Sequence, residues 1–309
     1  MADAPDNDAQ YLATVATLAG LDIDDASPPA EHHVIADGTR IHALDWGNHA
    51  AAPILFLHGG ALTARTWDLV CLAMRRDYRC VAVDLRGHGD SEWSPGMQYD
   101  VADHVADVQA VLDVMALAPC VVVGQSLGAM VALALAATDP DAVWALVLVD
   151  ATPDVPRGSV APVRDFILST NEPMALDRFV EAAAAFNPRR TKDLLRKSLL
   201  HNLRPTRGGQ WIWKYDRRHL DESEFERLRR QFADLGRHVS GVPCPVLVVH
   251  GAESEAVSAT RAARLAGRFR QGRWATVEQA GHTVQGDNPA GLVRELRTFL
   301  DELDPSPQR

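Results

Sequence analysis

The chain has 309 residues, of which 47% are hydrophobic and 23% charged, and its formal net charge is -10. This composition excludes disordered and collagen-like proteins, because it supplies enough apolar side chains to bury a core. Nucleic acid is not expected as a partner, since phosphate binding needs a basic surface. The longest apolar stretch, 127–137, is shorter than the ~20 residues of a membrane span, so no membrane partner is expected.

The N-terminal segment is acidic. Residues 1–25 contain six acidic residues and no Lys or Arg. Secretory and organelle-targeting leaders carry positive charge, so this segment predicts a cytoplasmic protein. We expect residues 1–30 to form a loose arm with a short helix near 11–18.

An antiparallel hairpin is predicted next. Residues 31–36 and 40–46 flank Asp37-Gly38, a dipeptide typical of two-residue hairpin turns. Two antiparallel edge strands should therefore precede the rest of the sheet.

Short runs rich in Val, Ile and Leu then recur, and helical patterns separate them. The runs cover residues 54–58, 80–84, 120–123, 145–150 and 246–250. Near-continuous apolar strands are typical of a parallel sheet that helices cover on both faces. The pattern predicts an α/β fold, with crossover helices such as 99–115 and a final helix at 288–303.

The strand pattern breaks after Asp150 and resumes past Pro245. Residues 153–240 are rich in helical patterns and carry 17 basic against 12 acidic residues, whereas the rest of the chain has 14 basic and 29 acidic. We interpret this basic block as a helical cap (lid) over the carboxyl edge of the sheet, where open α/β folds bind ligands. The core then comprises residues 31–152 and 241–309.

The sequence contains no cofactor signature. The four cysteines lack the paired spacing and accompanying histidines of a zinc site, and no GxGxxG phosphate loop occurs. We therefore expect no metal, no organic cofactor, and free buried thiols at Cys71, Cys80, Cys120 and Cys244.

The strongest chemical signal is Gly124-Gln125-Ser126-Leu127-Gly128, which lies between an apolar strand and a helix-forming run. A serine in this G-x-S-x-G setting stands on a tight strand-to-helix turn, beside the positive end of the helix. The glycines leave room for the strained backbone. This motif predicts Ser126 as a nucleophile.

A serine needs a base within hydrogen-bond reach. His282 follows the last predicted strand, so it should lie at the same edge of the sheet as Ser126. Its placement predicts His282 as the general base.

The acid that would orient this histidine has several candidates. Glu255 is our first choice, because it follows the strand 246–250 and completes the chain order serine, acid, histidine. Asp150 ends the preceding strand and can reach the same histidine from a neighbouring strand end. Glu253 lies in the same loop as Glu255 and is a third candidate.

An acyl-transfer site also needs donors for an oxyanion. His58-Gly59-Gly60-Ala61 ends another predicted strand and offers backbone N–H groups that can face the nucleophile. Gly60 is favoured over Ala61 as one donor, with the Leu127 N–H as the second. We expect His58 to brace the loop rather than to react.

Five motifs resemble those of the α/β-hydrolase superfamily in order and spacing: HGG at 58, DLRGHGDS at 84, GQSLG at 124, HGAESE at 250 and AGH at 280. The resemblance covers residues 31–303. It implies an α/β-hydrolase fold with an eight-stranded, mostly parallel sheet, Ser126 as nucleophile, His282 as base, and Gly60 and Leu127 as oxyanion donors. The chain departs from the family at the acid, since relatives usually carry Asp where Ser254 and Glu255 stand.

The pattern is similar to the carboxylesterase-like branch, which has a serine nucleophile and a helical cap. We expect hydrolysis of a small-molecule carboxylic ester through an acyl-enzyme. Carbon–carbon bond hydrolases, which cleave diketone ring-fission products with the same triad, are the first alternative. A non-catalytic ligand receptor on the same fold is the second.

Substrate choice is expected to depend on the cap. Trp211, Trp213 and Tyr215 form an aromatic patch that either lines the substrate pocket or packs the cap onto the core. The surrounding positive charges favour an anionic ligand, such as a small or aromatic monoester with a free carboxylate, unless they form a solvated face. These charges belong to Arg204, Arg207, Lys214, Arg217 and Arg218.

Overall fold

The computed structural model describes residues 9–154, 156, 158, 161–219 and 222–303. Ten strands are formed by these residues: β1 (Ala30–Ala36), β2 (Thr39–Asp45), β3 (Pro53–Leu57), β4 (Arg79–Val83), β5 (Cys120–Gln125), β6 (Val143–Val149), β7 (Leu203–Pro205), β8 (Trp211–Trp213), β9 (Val246–Gly251) and β10 (Gly272–Val277). Eight of them form one sheet in the order β1-β2-β4-β3-β5-β6-β9-β10. The pairs β1–β2 and β2–β4 are antiparallel and the other five are parallel, which confirms the predicted sheet.

Helices cover both faces of this sheet. The described helices are α1 (Ala9–Leu18), α2 (Asp68–Met74), α3 (Val101–Val114), α4 (Leu127–Thr138), α5 (Ala161–Ser169), α6 (Leu176–Phe186), α7 (Lys192–Asn202), α8 (Glu222–Leu235), α9 (Ala259–Ala266), α10 (Val284–Asp287) and α11 (Pro289–Asp301). The helices predicted at 99–115 and 288–303 correspond to α3 and α11.

The central strand β5 shows why the strands are apolar along their whole length. Val121 and Val123 pack with the helices α2 and α11, whereas Val122 packs on the opposite face with α3 and α4. All three side chains are fully buried. Because successive side chains point to opposite faces, a sheet covered on both sides needs apolar residues at every position.

The predicted edge hairpin is confirmed. Asp37 and Gly38 connect β1 to β2 with φ angles of 44° and 78°. Both angles lie in the left-handed region, as a two-residue type I′ turn requires.

The chain leaves the sheet between β6 and β9. The helices α5 to α8 and the hairpin β7–β8 lie in this segment, whose described residues from 161 to 235 we call the cap. The cap encloses an apolar cluster that includes Phe179, Leu199 and Trp213. The predicted limits of the cap, residues 153 and 240, remain predictions, and positions 155, 157, 159, 160, 220 and 221 lie outside the described chain.

Several hydrogen bonds attach the cap to the core, and two of them involve Asp216. Tyr99 Oη donates to Asp216 Oδ2 at 2.6 Å, and the N–H of Asp216 donates to Gly87 O at 2.7 Å. Asp216 is fully buried, so these bonds are shielded from water.

The short helix predicted near the N-terminus is present as α1. Its Leu12 is fully buried in the core, and Tyr11 Oη lies 3.2 Å from His201 Nε2 of the cap. The helix α1 is therefore packed rather than loose, because its apolar face contacts the core. The rest of the predicted loose arm stays a prediction.

The four cysteines are all buried and free, as predicted. No helix in the described ranges is both long enough and apolar enough to cross a bilayer. The cytoplasmic location remains a prediction.

Candidate active site

Ser126 stands between β5 and α4 with φ 52° and ψ -114°, a conformation that side-chain-bearing residues rarely adopt. Two glycines make this turn possible. A Cβ on Gly124 would lie 2.3 Å from the carbonyl oxygen of Gly128, and a Cβ on Gly128 would lie 2.3 Å from that of Leu57. The close approach of β3, β5 and α4 holds Ser126 at a cavity of about 600 Å³.

His282 lies in the loop between β10 and α10, and its Nδ1 is 2.8 Å from Asp150 Oδ2. Asp150 directly follows β6 and is fully buried. Its Oδ1 accepts a hydrogen bond from Gly251 N at 3.1 Å, and its Oδ2 also accepts one from Ser254 Oγ at 2.5 Å. A carboxylate held in this way places the imidazole proton on Nδ1 and leaves Nε2 to act as a base.

The structure does not bring Glu255 to His282. Glu255 is exposed, and Glu253 instead pairs with Arg189 at 2.6 Å. The physical reason is the strand order: β6 and β9 are neighbours, so the residue that ends β6 lies beside the loop that follows β9. The carboxylate that contacts His282 is therefore Asp150 and not the expected Glu255, and Ser254 in the β9 loop donates a hydrogen bond to it.

Gln125 connects the turn of Ser126 to the loop of His282. Its Nε2 donates to His282 O at 3.0 Å and lies 3.3 Å from His282 Nε2. Ser126 and His282 line the same cavity, together with Gln125 and Asp150. Sequence reasoning did not single out Gln125, for which its place directly before the predicted nucleophile Ser126 was the available signal.

His58 supports the loop that carries the predicted oxyanion donors. Leu85 N donates to His58 Nε2 at 2.9 Å, so the ring proton is on Nδ1, which donates to Gly59 O at 2.7 Å. Burial lowers the pKa of His58, although the nearby Asp84 opposes this change. A neutral imidazole that forms two hydrogen bonds agrees with the expectation that His58 braces the loop.

The candidate oxyanion residues Gly60, Ala61 and Leu127 all line the cavity that contains Ser126. Within the described chain, their N–H groups take part in no backbone hydrogen bond. Each of these amides is available to a bound oxyanion, and the first amide of α4 also carries the positive end of the helix dipole.

Similarity to known proteins extends over most of the chain. Residues 54–295 match the model of the alpha/beta hydrolase family. The chain is an α/β-hydrolase. It is similar to esterase Rv0045c of Mycobacterium tuberculosis, with 34% identity over 84% of this chain and 86% of that protein. The crystal structure of that esterase has a TM-score of 0.73 with 33% identity, over 94% of this chain and 96% of that chain. An sn-1-specific diacylglycerol lipase of Mus musculus is 29% identical over 82% of each chain.

Of the three cap aromatic residues that the sequence offered as pocket candidates, one lines the cavity of this α/β-hydrolase. Trp213 lines the cavity, whereas Trp211 and Tyr215 are not among its described lining residues. The Trp213 ring stacks on Tyr215 with 5.7 Å between centroids, and its Nε1 donates to Thr170 O at 2.9 Å. Trp211 and Tyr215 therefore pack in the apolar cluster of the cap. Of the two expectations for these residues, a place in the substrate pocket is wrong for this pair.

The predicted positive charges of the α/β-hydrolase cap do not line the cavity either. Arg207 is exposed. The others contact neighbouring groups: Arg204 lies 4.9 Å from the Trp93 ring centroid, Lys214 pairs with Asp90 at 2.8 Å, Arg217 donates to Asn171 O, and Arg218 pairs with Asp216 at 2.6 Å. Three arginines that the sequence did not distinguish, Arg164, Arg190 and Arg229, line the cavity instead.

Proposed function

We propose that this α/β-hydrolase is a carboxylic ester hydrolase in which Ser126 is the nucleophile. The observation that carries the proposal is the contact between Asp150 and His282 Nδ1, at the cavity that also contains Ser126 on its strained turn. A serine, an imidazole and a buried carboxylate in these positions constitute the machinery for acyl transfer. The similarity to an esterase over most of the chain supports the same reaction class.

In the proposed mechanism, His282 Nε2 removes the hydroxyl proton of Ser126 while the oxygen attacks the ester carbonyl. Asp150 stabilises the resulting imidazolium through Nδ1. The N–H groups of Leu127 and of Gly60 or Ala61 bind the oxyanion. His282 then protonates the leaving alcohol, and water attacks the acyl-enzyme with the same histidine as base.

The cavity favours a substrate with an apolar portion. Its volume of about 600 Å³ is typical of a site that encloses a small organic molecule. Much of the wall consists of apolar cap and core side chains, among them Val163, Phe166, Ile167, Phe186, Trp213 and Phe232. This wall excludes water from the acyl group and strengthens the electrostatic contacts at the oxyanion.

The proposal is tested by covalent labelling and turnover together. A fluorophosphonate should label the protein at Ser126, as located by peptide mass spectrometry, and the protein should hydrolyse p-nitrophenyl butyrate. Ser126→Ala should abolish both labelling and turnover, and His282→Gln should lower turnover by about 10³-fold or more. Labelling at another residue, or unchanged turnover in Ser126→Ala, would contradict the proposed nucleophile.

A substrate panel separates the ester hydrolase from the two alternatives. A carbon–carbon bond hydrolase should cleave a vinylogous diketone much faster than an alkyl ester of similar size. A receptor should show labelling without multiple turnovers. Ester turnover that exceeds diketone cleavage supports the proposed function.

A further inference from the structure

Two adjacent arginines in the loop between α6 and α7 have different surroundings. Arg189 is exposed and pairs with Glu253, with 2.6 Å between Nε and Oε2. Arg190 is largely buried and lines the cavity that contains Ser126. The first arginine anchors the loop to the core, which leaves the second held against the cavity.

The guanidinium of Arg190 is poorly satisfied by the protein. Its Nη2 reaches Leu194 O at 3.4 Å, and its Nε has no hydrogen-bond partner in the described chain. No described carboxylate forms an ion pair with it within 4.0 Å. The nearby carboxylate of Asp287 already accepts hydrogen bonds from Asn187 Nδ2 at 2.6 Å and from Gly281 N at 2.9 Å.

This surrounding is energetically unfavourable for a charged group. Burial lowers the pKa of Arg190, although the negative charge of Asp287 opposes the change. Arginine nevertheless stays protonated in proteins, so the charge persists without a close counter-ion among the residues that the structure describes. A bound anion would supply the missing hydrogen bonds and the missing negative charge.

The other two arginines at the cavity differ in this respect. Arg164 pairs with its neighbour Asp165 at 2.9 Å, and Arg229 pairs with Glu226 at 3.0 Å. Their positive charges are therefore compensated by the protein, which singles out Arg190.

Polar side chains surround Arg190 at one wall of the cavity. A smaller cavity of about 50 Å³ lies behind this wall, and four residues line both spaces: Thr66, Arg190, Ser198 and Asn202. All four are polar, whereas much of the wall elsewhere consists of apolar side chains. Thr66 Oγ1 accepts a hydrogen bond from Gln285 Nε2 at 3.1 Å, so its own proton is available to a ligand.

We propose that Arg190 binds a carboxylate of the substrate, which makes the substrate a monoester of a dicarboxylic acid. The guanidinium offers two parallel N–H donors to the free carboxylate, and the hydroxyl groups of Thr66 and Ser198 add donors at the same wall. The inference rests on the proposed ester hydrolysis by Ser126, since it assigns the substrate class of that site. The expected anionic substrate is thus explained by Arg190 at the cavity and not by the exposed charges of the cap.

The test compares esters that differ in one carboxylate. The values of kcat/KM for the monomethyl and dimethyl esters of succinate, glutarate and adipate are measured for the wild type and for Arg190→Gln. Arg178→Gln, at an exposed arginine of α6, is the matched control. At the best chain length we expect the wild type to favour the monomethyl ester by about tenfold or more, and Arg190→Gln to lower that preference by about 10- to 100-fold, chiefly through KM.

If the wild type and Arg190→Gln hydrolyse esters with the same preference for the monomethyl over the dimethyl ester, the inference is overturned. The proposed function would still stand, because ester hydrolysis would be intact. A preference lowered as much by Arg178→Gln as by Arg190→Gln would also overturn it, because the effect would then reflect the net charge of the cap.

A binding experiment is independent of hydrolysis. Ser126→Ala is titrated with the adipate and succinate dianions by calorimetry, with and without Arg190→Gln. Binding that requires Arg190 supports the carboxylate site even if no ester is hydrolysed, in which case the proposed function alone fails. Absence of binding to Ser126→Ala at millimolar dianion would count against the site.

Thermal unfolding distinguishes a binding function from a structural one. An unpaired buried cation does not stabilise the fold, so Arg190→Gln should unfold at the wild-type temperature or above it. A large decrease in Tm together with an unchanged ester preference would show that Arg190 has a structural function instead.

Discussion

The hydroxyl of Ser254 lies 2.5 Å from Asp150 Oδ2, the oxygen that His282 Nδ1 contacts at 2.8 Å. In the superfamily pattern, the loop that contains Ser254 usually supplies the acid. In this protein the carboxylate comes from the end of β6, and the β9 loop supplies a hydroxyl donor that holds it. The same histidine orientation is thus reached from a neighbouring strand, because the two strand ends are adjacent at one edge of the sheet.

The first prediction distinguishes the two candidate acids. Asp150→Asn should lower kcat for an ester by about 10³- to 10⁴-fold, because an amide does not hold the imidazole in the required tautomer. Glu255→Gln should stay within about twofold of the wild type, since the exposed side chain is remote from the chemistry. Steady-state kinetics with one ester measures both variants. A large loss in Glu255→Gln would restore Glu255 as the acid.

The second prediction tests whether the acid can be moved to the β9 loop. Ser254→Ala should lower kcat modestly, by about tenfold, because it removes one donor to the carboxylate of Asp150. In the double variant Asp150→Asn/Ser254→Asp, the new carboxylate should replace the lost one in part. We expect its kcat to be at least about tenfold higher than that of Asp150→Asn. Activity no higher than that of Asp150→Asn would show that position 254 cannot orient His282.

The third prediction concerns the turn of Ser126. Gly128→Ala should destabilise the fold by about 2 kcal/mol or more, because the added methyl group would meet the backbone of β3. Gly241→Ala is the control, since nothing lies within 4 Å of its added Cβ. Chemical denaturation measures both variants. Equal stabilities would show that the turn relaxes without cost.

The fourth prediction is a pH dependence of stability at Asp68, the first residue of α2. Asp68 is buried, its Oδ1 has no hydrogen-bond partner in the described chain, and Arg65 is 3.7 Å from Oδ2. Burial raises the pKa of Asp68 from 3.8 to about 7. The folded protein therefore binds an extra proton between these values, and this contribution to stability is present below pH 3.8 and lost as the pH rises towards 7.

Asp68→Asn removes this dependence. The stability of the variant relative to the wild type should rise by about 1 kcal/mol for each pH unit between pH 5 and pH 7. Denaturation of both proteins at several pH values measures the difference, with Asp113→Asn at an exposed site of α3 as the control. A relative stability that is constant with pH would show that Asp68 is ionised throughout.

The fifth prediction concerns the attachment of the cap. Tyr99→Phe should lower the free energy of unfolding by about 1 to 3 kcal/mol, because it removes the 2.6 Å hydrogen bond to the buried Asp216. Tyr215→Phe should have a smaller effect, since the Tyr215 hydroxyl reaches Asn171 only at 3.4 Å. A Tyr215→Phe effect as large as that of Tyr99→Phe would contradict the assigned attachment.

Much of the architecture is encoded locally. Continuous apolar runs such as the one that becomes β5 predict strands buried on both faces, and Asp37-Gly38 predicts the hairpin turn. The G-x-S-x-G motif specifies its own geometry, because Gly124 and Gly128 permit the close contacts that the turn of Ser126 requires. His282 follows the last strand in the sequence, and parallel strands end at one edge of the sheet. These two facts together predict that His282 lies at the same edge as Ser126.

Which carboxylate contacts His282 was not encoded in this local way. Asp150 and Glu255 both follow strands whose ends are adjacent, so the pattern placed both near His282. The path of the β9 loop decides between them: it brings Ser254 to Asp150 and leaves Glu255 exposed.

The basic residues of the cap also show which features the sequence determines and which depend on the tertiary structure. The sequence by itself determined that the cap carries excess positive charge, but a linear count does not say which charges have partners. Folding brings Asp90 to Lys214 and Asp216 to Arg218, whereas Arg190 at the cavity forms no ion pair with any carboxylate of the described residues. Short-range patterns thus determined the strands, the serine turn and the histidine, since each depends on a few consecutive residues. Only the tertiary structure decided which carboxylate contacts His282 and which cap charge has no described ion pair, because hydrogen bonds and ion pairs depend on distances of a few ångströms between residues far apart in the chain.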